Sequence, residues 1–326
     1  MVSLSFRKTN SLSNKKLLKF LIVFSIIDCI FQISLGGFVR VTSSGLGCPD
    51  WPLCYGKIIP PMNYHTLIEW GHRTSGAILG LSILSVSIFV LIYERSNKLL
   101  LYMSLITLFL VVVVGGVGGA VVLTELEPSL RTLHLFLAQL IIFTLGVSLI
   151  SLYVPADKKY SDILILDKYS IIIGVLALTT IISVLTGSYA VWKGAGTVCS
   201  SWPLCTTNSL LPQSSLGWIH MIHRIASSLT GIIGLIGLYI ILRKKFSNSI
   251  YMISVFSLSM IFIQGILGAL NPWTKFEIWA RVSHLGASSV MWGLISTLFC
   301  MLNLIPCFFK IFINSDEISL SIPGVI

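Results

Sequence analysis

The sequence predicts an all-α membrane protein with eight transmembrane helices, arranged as two parallel four-helix repeats. The 326 residues are 55% hydrophobic and only 10% charged, whereas soluble domains carry about 25% charged residues. Several apolar runs reach the roughly 20 residues that cross a bilayer as a helix. One segment also recurs, altered, 151 positions further along the chain. Together these observations place a duplicated chain in a lipid bilayer.

The apolar runs set the predicted elements. Helices are expected because they satisfy their own backbone polar groups in lipid. The eight predicted spans are 18–39, 72–93, 99–123, 132–154, 169–191, 218–242, 249–270 and 282–305. They divide the chain into a basic N-terminus at 1–17, an N-terminal repeat at 18–154, a linker at 155–168, a C-terminal repeat at 169–305 and a tail at 306–326.

The duplication is visible residue by residue. Residues 45–73 align with residues 196–224 without a gap. The matched positions there are Cys48 with Cys199, Cys54 with Cys205, His72 with His223 and Arg73 with Arg224. A second match, 150 positions apart, pairs Glu127 with Glu277, Arg131 with Arg281 and His134 with His284. Because each unit has four spans, both enter the membrane in the same direction, which predicts a pseudo-twofold axis along the membrane normal.

Basic residues indicate the orientation. Lys and Arg concentrate in the N-terminal segment and in the loops at 94–98, 155–168 and 243–248. The positive-inside rule therefore puts both termini inside, and the long loops at 40–71 and 192–217 outside. A bacterial plasma membrane and a mitochondrial inner membrane both fit, and a short targeting peptide is an alternative interpretation of the N-terminus. The charge of +10 does not indicate nucleic acid, because the cations lie between spans and form no stripe.

Four histidines occupy one predicted depth, two in each repeat: His72, His134, His223 and His284. A lone histidine in a span is usually a packed, hydrogen-bonded side chain, but matched histidines on the second and fourth span of each unit suggest a shared ligand. Two facing imidazoles are the axial arrangement of haem iron. Zinc favours a tighter tetrahedral set. We therefore predict a bis-histidine haem in each repeat.

Arginines and cysteines accompany these histidines. Arg73 and Arg224 directly follow a histidine, and Arg131 and Arg281 precede one by three positions. They are candidates to bind haem propionates, or else ordinary interfacial arginines. Each predicted outer loop has a C-x5-C pair, and we expect bridges Cys48–Cys54 and Cys199–Cys205, either structural or redox-active. We interpret Cys29, Cys300 and Cys307 as unpaired small hydrophobic residues.

Glu69 breaks the symmetry of the two repeats. It precedes His72 by one helical turn, and its counterpart in the second repeat is His220. It is either a residue that favours a helix start or a group that relays protons or stabilises positive charge. The first repeat is therefore the better candidate for chemistry. His220 covers its haem or caps a helix, and we expect His65 to be solvated in the outer loop.

The combined motifs resemble the haem A synthase family. They are the segment Gly37–Cys54, the E-x-x-H-R at Glu69–Arg73, and the repeated W-P-L-C and H-R sequences. The similarity extends from about residue 18 to 305, and it resembles the type with cysteine pairs in both outer loops. His220 is one departure from the family pattern.

The resemblance implies a membrane oxidoreductase that oxidises the C8 methyl of haem O to a formyl group, giving haem A for cytochrome oxidase. Two successive hydroxylations give a geminal diol, which loses water. It also implies that His72 and His134 face the substrate haem, that His223 and His284 ligate a haem b cofactor, and that Glu69 is catalytic. Cys48 and Cys54 are further functional candidates. Haem O synthase, oxidase assembly factors and an electron donor not visible in the sequence are the expected partners.

Two other functions use the same residues. A dihaem b-type electron carrier linked to quinone or outer thiols explains the histidines and the cysteine loops, but not a carboxylate confined to one repeat. An assembly protein that binds haem in transit is the third reading. Formation of haem A distinguishes the enzyme from both.

Overall fold

The protein folds as eight long helices in a computed structural model that describes residues 2–153, 167–206, 211–244 and 246–304, the side chains of 2–13 and 304 excepted. Each of the eight is long and apolar enough to span a membrane. The protein is thus a multi-pass, all-α integral membrane protein. The helices are α1 Val2–Val41, α2 Tyr64–Tyr93, α3 Lys98–Leu123, α4 Pro128–Ser151, α5 Lys168–Trp192, α6 Ser215–Leu242, α7 Asn248–Trp273 and α8 Ile278–Leu304.

Several helices begin earlier than their apolar spans. Helix α2 begins at Tyr64 rather than 72, because the Asn63 side chain caps it by accepting a hydrogen bond from the Thr66 N–H at 3.0 Å. Helices α4 and α8 likewise begin before the predicted 132 and 282. First turns that contain polar or charged residues escape a prediction based on apolar length. The α1–α2 loop therefore covers 42–63, and the predicted loop at 40–71 was too long.

The helices pack as two closed groups of four. In the first unit α1 contacts α2, α2 contacts α3, α3 contacts α4, and α4 returns to α1. The second unit repeats this cycle through α5, α6, α7 and α8. The contacts that join the units are α1–α8, α4–α5 and α4–α8. The 154–166 part of the linker, the tail from 305 and Cys307 lie outside the described residues.

The contact between α4 and α8 includes buried hydrogen bonds. The Gln139 Nε2 donates to Ser289 Oγ at 2.9 Å, and the Trp292 indole N–H donates to the Gln139 carbonyl at 2.8 Å. Such bonds are retained in apolar surroundings because an unpaired polar group there is costly. They fix the register of the two units against each other.

The surface confirms a lipid environment. Large apolar side chains such as Phe20, Ile27 and Phe109 are more than half exposed. A soluble protein rarely leaves so many of these uncovered. One end of the bundle carries the α1–α2, α3–α4, α5–α6 and α7–α8 connections. We call it the disulfide end, because both disulfides lie there.

Candidate functional site

The four predicted histidines all lie near the disulfide end. His72 and His223 are in the third turn of α2 and α6, and His134 and His284 are in the second turn of α4 and α8. In the second unit the rings of His223 and His284 lie 6.5 Å apart, centroid to centroid, at 83°. That spacing suits two rings on opposite sides of one metal ion, since metal–nitrogen bonds are about 2 Å.

The first pair is less tightly apposed. His72 and His134 are near enough to interact electrostatically. Among the described residues, however, their rings make no contact like the one between His223 and His284. In the described part of the chain, moreover, His, Cys, Asp and Glu side chains form no group of three or more that suits a metal ion. Paired imidazoles without further ligands fit haem and do not fit tetrahedral zinc.

Each of these histidines rests against a glycine of the preceding helix. A Cβ added at any of these glycines would come within 3.4 Å of the imidazole ring. The glycine–histidine pairs are Gly36 with His72, Gly118 with His134, Gly187 with His223 and Gly268 with His284. The glycines recur at the same 151- and 150-residue offsets as the histidines. The imidazole ring of one helix thus occupies the space that a larger side chain on the preceding helix would fill.

Each ring approaches its glycine first by the Cε1 atom. At Gly187 the His223 Nδ1 lies 3.0 Å from the Ser183 carbonyl oxygen, a donor–acceptor pair if Nδ1 carries the proton. That tautomer leaves Nε2 with its lone pair, as a metal ligand requires. The Nδ1 atoms of His72 and His284 are buried without a partner, whereas His134 interacts with the Val114 backbone. In the pairs at Gly118, Gly187 and Gly268, Nδ1 is the ring nitrogen nearer the glycine, which leaves Nε2 available to a haem, whereas at Gly36 the His72 Nε2 is slightly nearer.

The disulfide loops are attached to the helices by the arginines next to the histidines. The bridges Cys48–Cys54 and Cys199–Cys205 are both present, as predicted. Arg73 donates to the carbonyls of Cys48, Asp50 and Leu53 at 2.6–3.0 Å. The backbone N–H of Gly56 donates to the Asp50 carboxylate at 2.7 Å and is the main reason that its pKa lies below the ordinary value.

The second unit repeats this attachment. Arg224 donates to the carbonyls of Leu204, Pro203 and Cys199 at 2.7, 3.1 and 3.4 Å. Five donors on each guanidinium are thus largely directed at loop backbone. This geometry favours loop attachment for Arg73 and Arg224, while their binding of propionates stays a prediction.

Glu69 is buried between the first disulfide and Arg73. It is only 3% exposed. Its Oε2 accepts from the Cys48 N–H at 3.0 Å, and its Oε1 pairs with Arg73 at 2.6 Å. Two charge-assisted hydrogen bonds fix this carboxylate one turn from His72. Its counterpart His220 instead places Nδ1 2.9 Å from the Ala195 carbonyl and, as the sixth residue of α6, does not cap that helix.

A comparison with known families matches most of this chain. The family model described as cytochrome oxidase assembly protein matches residues 19–66 and 62–296. The chain belongs to the cytochrome oxidase assembly protein family. It is 29% identical over 290 residues to the haem A synthase of Bacillus licheniformis, covering 86% of this chain and 94% of the relative.

Two further relatives are also named haem A synthase. The haem A synthase of Symbiobacterium thermophilum is 27% identical over 282 residues, covering 84% of this chain and 92% of the relative. That of Macrococcus caseolyticus is 28% identical over 296 residues, covering 86% and 95%. This assembly protein family member therefore aligns with these relatives over nearly their whole length.

Sequence reasoning about this family member missed the four glycines and Trp192. The repetition of the glycines at the histidine offsets was a usable signal. Trp192 has no aromatic counterpart in the first unit. His65 is exposed as expected, but it lies in the first turn of α2, where its Nδ1 is 3.0 Å from Ser44 Oγ. Cys29 and Cys300 are buried free thiols, as predicted.

A methyl group added at Gly187 tests whether the contact between this glycine and His223 supports haem binding. We expect Gly187→Ala to weaken haem retention in the second unit roughly tenfold, because over-packing costs about 1–3 kcal/mol. The added Cβ would lie 2.7 Å from His223 Cε1. Gly265→Ala is the matched control, since nothing lies within 4 Å of its Cβ. Haem content of the purified proteins measures the effect, and equal haem loss in both variants would contradict it.

Proposed function

We propose that this protein is a haem A synthase, which oxidises the C8 methyl group of haem O to a formyl group and so supplies haem A for cytochrome oxidase. The observation that carries the proposal is the set of four imidazoles in membrane-spanning helices, each seated against a glycine. The family match and the similarity to haem A synthases support the same reaction.

The two units have different roles in this proposal. His72 and His134 hold the substrate haem O in the first unit, because the buried carboxylate Glu69 is found only there. His223 and His284 hold a haem b cofactor in the second unit. When bound, haem b supplies one-electron redox chemistry. The closed packing of each group of four helices makes each unit a separate cradle.

Glu69 is the proposed catalytic group of the first unit. Its ion pair with Arg73 and the N–H of Cys48 stabilise the charged carboxylate in a site from which water is largely excluded. A fixed anion there can accept a proton or stabilise positive charge that develops on the substrate. The methyl group is hydroxylated twice, each time giving up two electrons to an oxidant from outside the chain, and the resulting geminal diol loses water to leave the formyl group.

Cys48 contributes through its backbone. Its N–H holds Glu69, and the bridge to Cys54 closes the loop that presents this N–H. We therefore include Cys48 and Cys54 among the functional residues of the first unit, as groups that position the carboxylate. The second bridge, Cys199–Cys205, closes a loop beside His220 and has no carboxylate to position.

A membrane location suits this substrate. Haem O carries a long farnesyl chain, and burying such a chain stabilises the bound state by about 0.8 kcal/mol per CH₂. A substrate dissolved in lipid reaches a cradle between helices without leaving the bilayer. We propose that both termini lie inside, that the disulfide end faces outside, and that haem O synthase and oxidase assembly factors deliver and receive the porphyrins.

Pigment analysis tests the proposed function. We expect haem A to appear when this protein is expressed in cells that make haem O but lack their own haem A synthase. Extracted pigments are separated by chromatography and identified by mass, with cells carrying an empty vector as the control. A purified protein that carries two b-type haems while the cells form no haem A would favour the electron carrier and contradict the proposal. A colourless protein would contradict both functions.

A further inference from the structure

The interface between the two units contains arginines around one tryptophan at the disulfide end. Trp192 ends α5 of the second unit, whereas Arg40 and Arg131 belong to α1 and α4 of the first. The Arg131 guanidinium carbon lies 3.8 Å from the Trp192 ring centroid, and that of Arg40 lies 5.7 Å from it. Both distances are in the cation–π range. Two cations of one unit thus converge on an aromatic side chain of the other.

These arginines have too little negative charge around them. The Nε atoms of Arg40 and Arg131 are buried without a hydrogen-bond partner. Among the described residues the one ion pair within 4.0 Å is Glu69–Arg73, elsewhere in the first unit. Glu127 is near enough to Arg131 to interact with it, but its carboxylate is exposed and accepts from Ser129 and from the Leu130 N–H. Buried charge without a partner is costly, so a missing anion is expected.

The position of Arg40 indicates which anion this is. Arg40 lies near enough to Arg281 to repel it, and it also interacts electrostatically with His284. Arg281 precedes His284 by three residues and so lies on the same face of α8. Helix α1 packs directly on α8. The same part of α1 touches the residue next to His284, since a Cβ added at Gly37 would lie 2.8 Å from Leu285 Cδ2. Two guanidiniums from different units therefore lie near the second pair of histidines.

We propose that Arg40 binds a carboxylate of the porphyrin held by His223 and His284, across the interface between the two units. Arg281 binds the same edge from the second unit, and Trp192 keeps the Arg40 side chain in place. The assignment rests on the proposed function only in requiring a porphyrin at that site. The haem site of the second unit is therefore incomplete without Arg40 of the first unit. Arginine suits this role because its planar fork matches a carboxylate.

The test uses full-length protein with one haem site at a time. In a His72→Ala/His134→Ala background, which keeps the second-unit pair, we expect Arg40→Gln to weaken haem retention about 10- to 100-fold, as for a lost charged hydrogen bond. The reduction potential of that haem should also fall, because a nearby cation favours the reduced, less positive state. Arg40→Lys should restore most of the potential, since it keeps the charge.

The controls separate this role from a general effect on structure. Lys193→Gln removes an exposed cation at the same end and should leave the potential unchanged. In the reverse background, His223→Ala/His284→Ala, Arg40→Gln should leave the first-unit haem unchanged. A shift confined to the first-unit haem, or no shift in either, overturns the proposal. Haem A formation is scored separately, so its absence in the unaltered protein rejects the synthase and leaves the Arg40 result standing.

Discussion

Glu69→Gln should retain its bound haem and lose haem A formation by about 100-fold or more, the scale of general acid–base catalysis. Glutamine keeps the shape of the side chain and can still accept from the Cys48 N–H, which Glu69 meets at 3.0 Å. It cannot carry negative charge or take up a proton. Arg73 keeps its bonds to loop carbonyls, so the fold should survive. Absorption spectra measure haem retention, and pigment extraction measures the product.

A matched control is available at the same end of the first unit. Glu125 is exposed, and Glu125→Gln removes one carboxylate without disturbing the buried network. It should form haem A normally. A fully active Glu69→Gln variant would show that the buried carboxylate has no chemical role. A Glu69→Gln variant that loses its haem would instead assign Glu69 to the structure of the cradle.

His223→Ala should remove the haem of the second unit and leave that of the first. The rings of His223 and His284 lie 6.5 Å apart, and a haem iron bound between two histidines needs both as axial ligands. Loss of His223 leaves His284 as a single ligand. The purified variant should therefore carry about half of the haem of the unaltered protein. It should also form no haem A, because the proposed cofactor is absent. Haem stoichiometry by pyridine haemochrome spectra measures the first result.

His65→Ala provides the comparison for this variant. His65 is exposed in the first turn of α2, so its removal should change neither haem content nor activity. His72→Ala should show the opposite pattern to His223→Ala, losing the haem of the first unit. Equal haem contents in His223→Ala, His72→Ala and the unaltered protein would reject both histidine pairs as ligands.

The sequence predicted the number of helices, the disulfide pairs and the position of the four histidines near one end. Those features depend on apolar length, spacing and repetition, which are properties of the chain itself. It placed the start of α2 too late, because polar residues such as Thr66 and Glu69 interrupt the first two turns and the helix start is set by the Asn63 cap. The pseudo-twofold relation of the units stays a prediction.

The contacts of the site were harder to foresee. That Arg73 would be directed at the carbonyls of the disulfide loop depends on the path of that loop, which spacing alone does not determine. The convergence of Arg40 on His284 joins positions 244 residues apart. Such a contact follows from packing α1 on α8 and has no local pattern in the sequence.

The bond between Glu69 and the backbone of Cys48 ties the carboxylate to the oxidation state of the loop. A newly inserted chain, with free thiols at Cys48 and Cys54, has no covalent link to hold that amide in register. Reduction of the bridge is therefore expected to loosen the position of the Glu69 carboxylate.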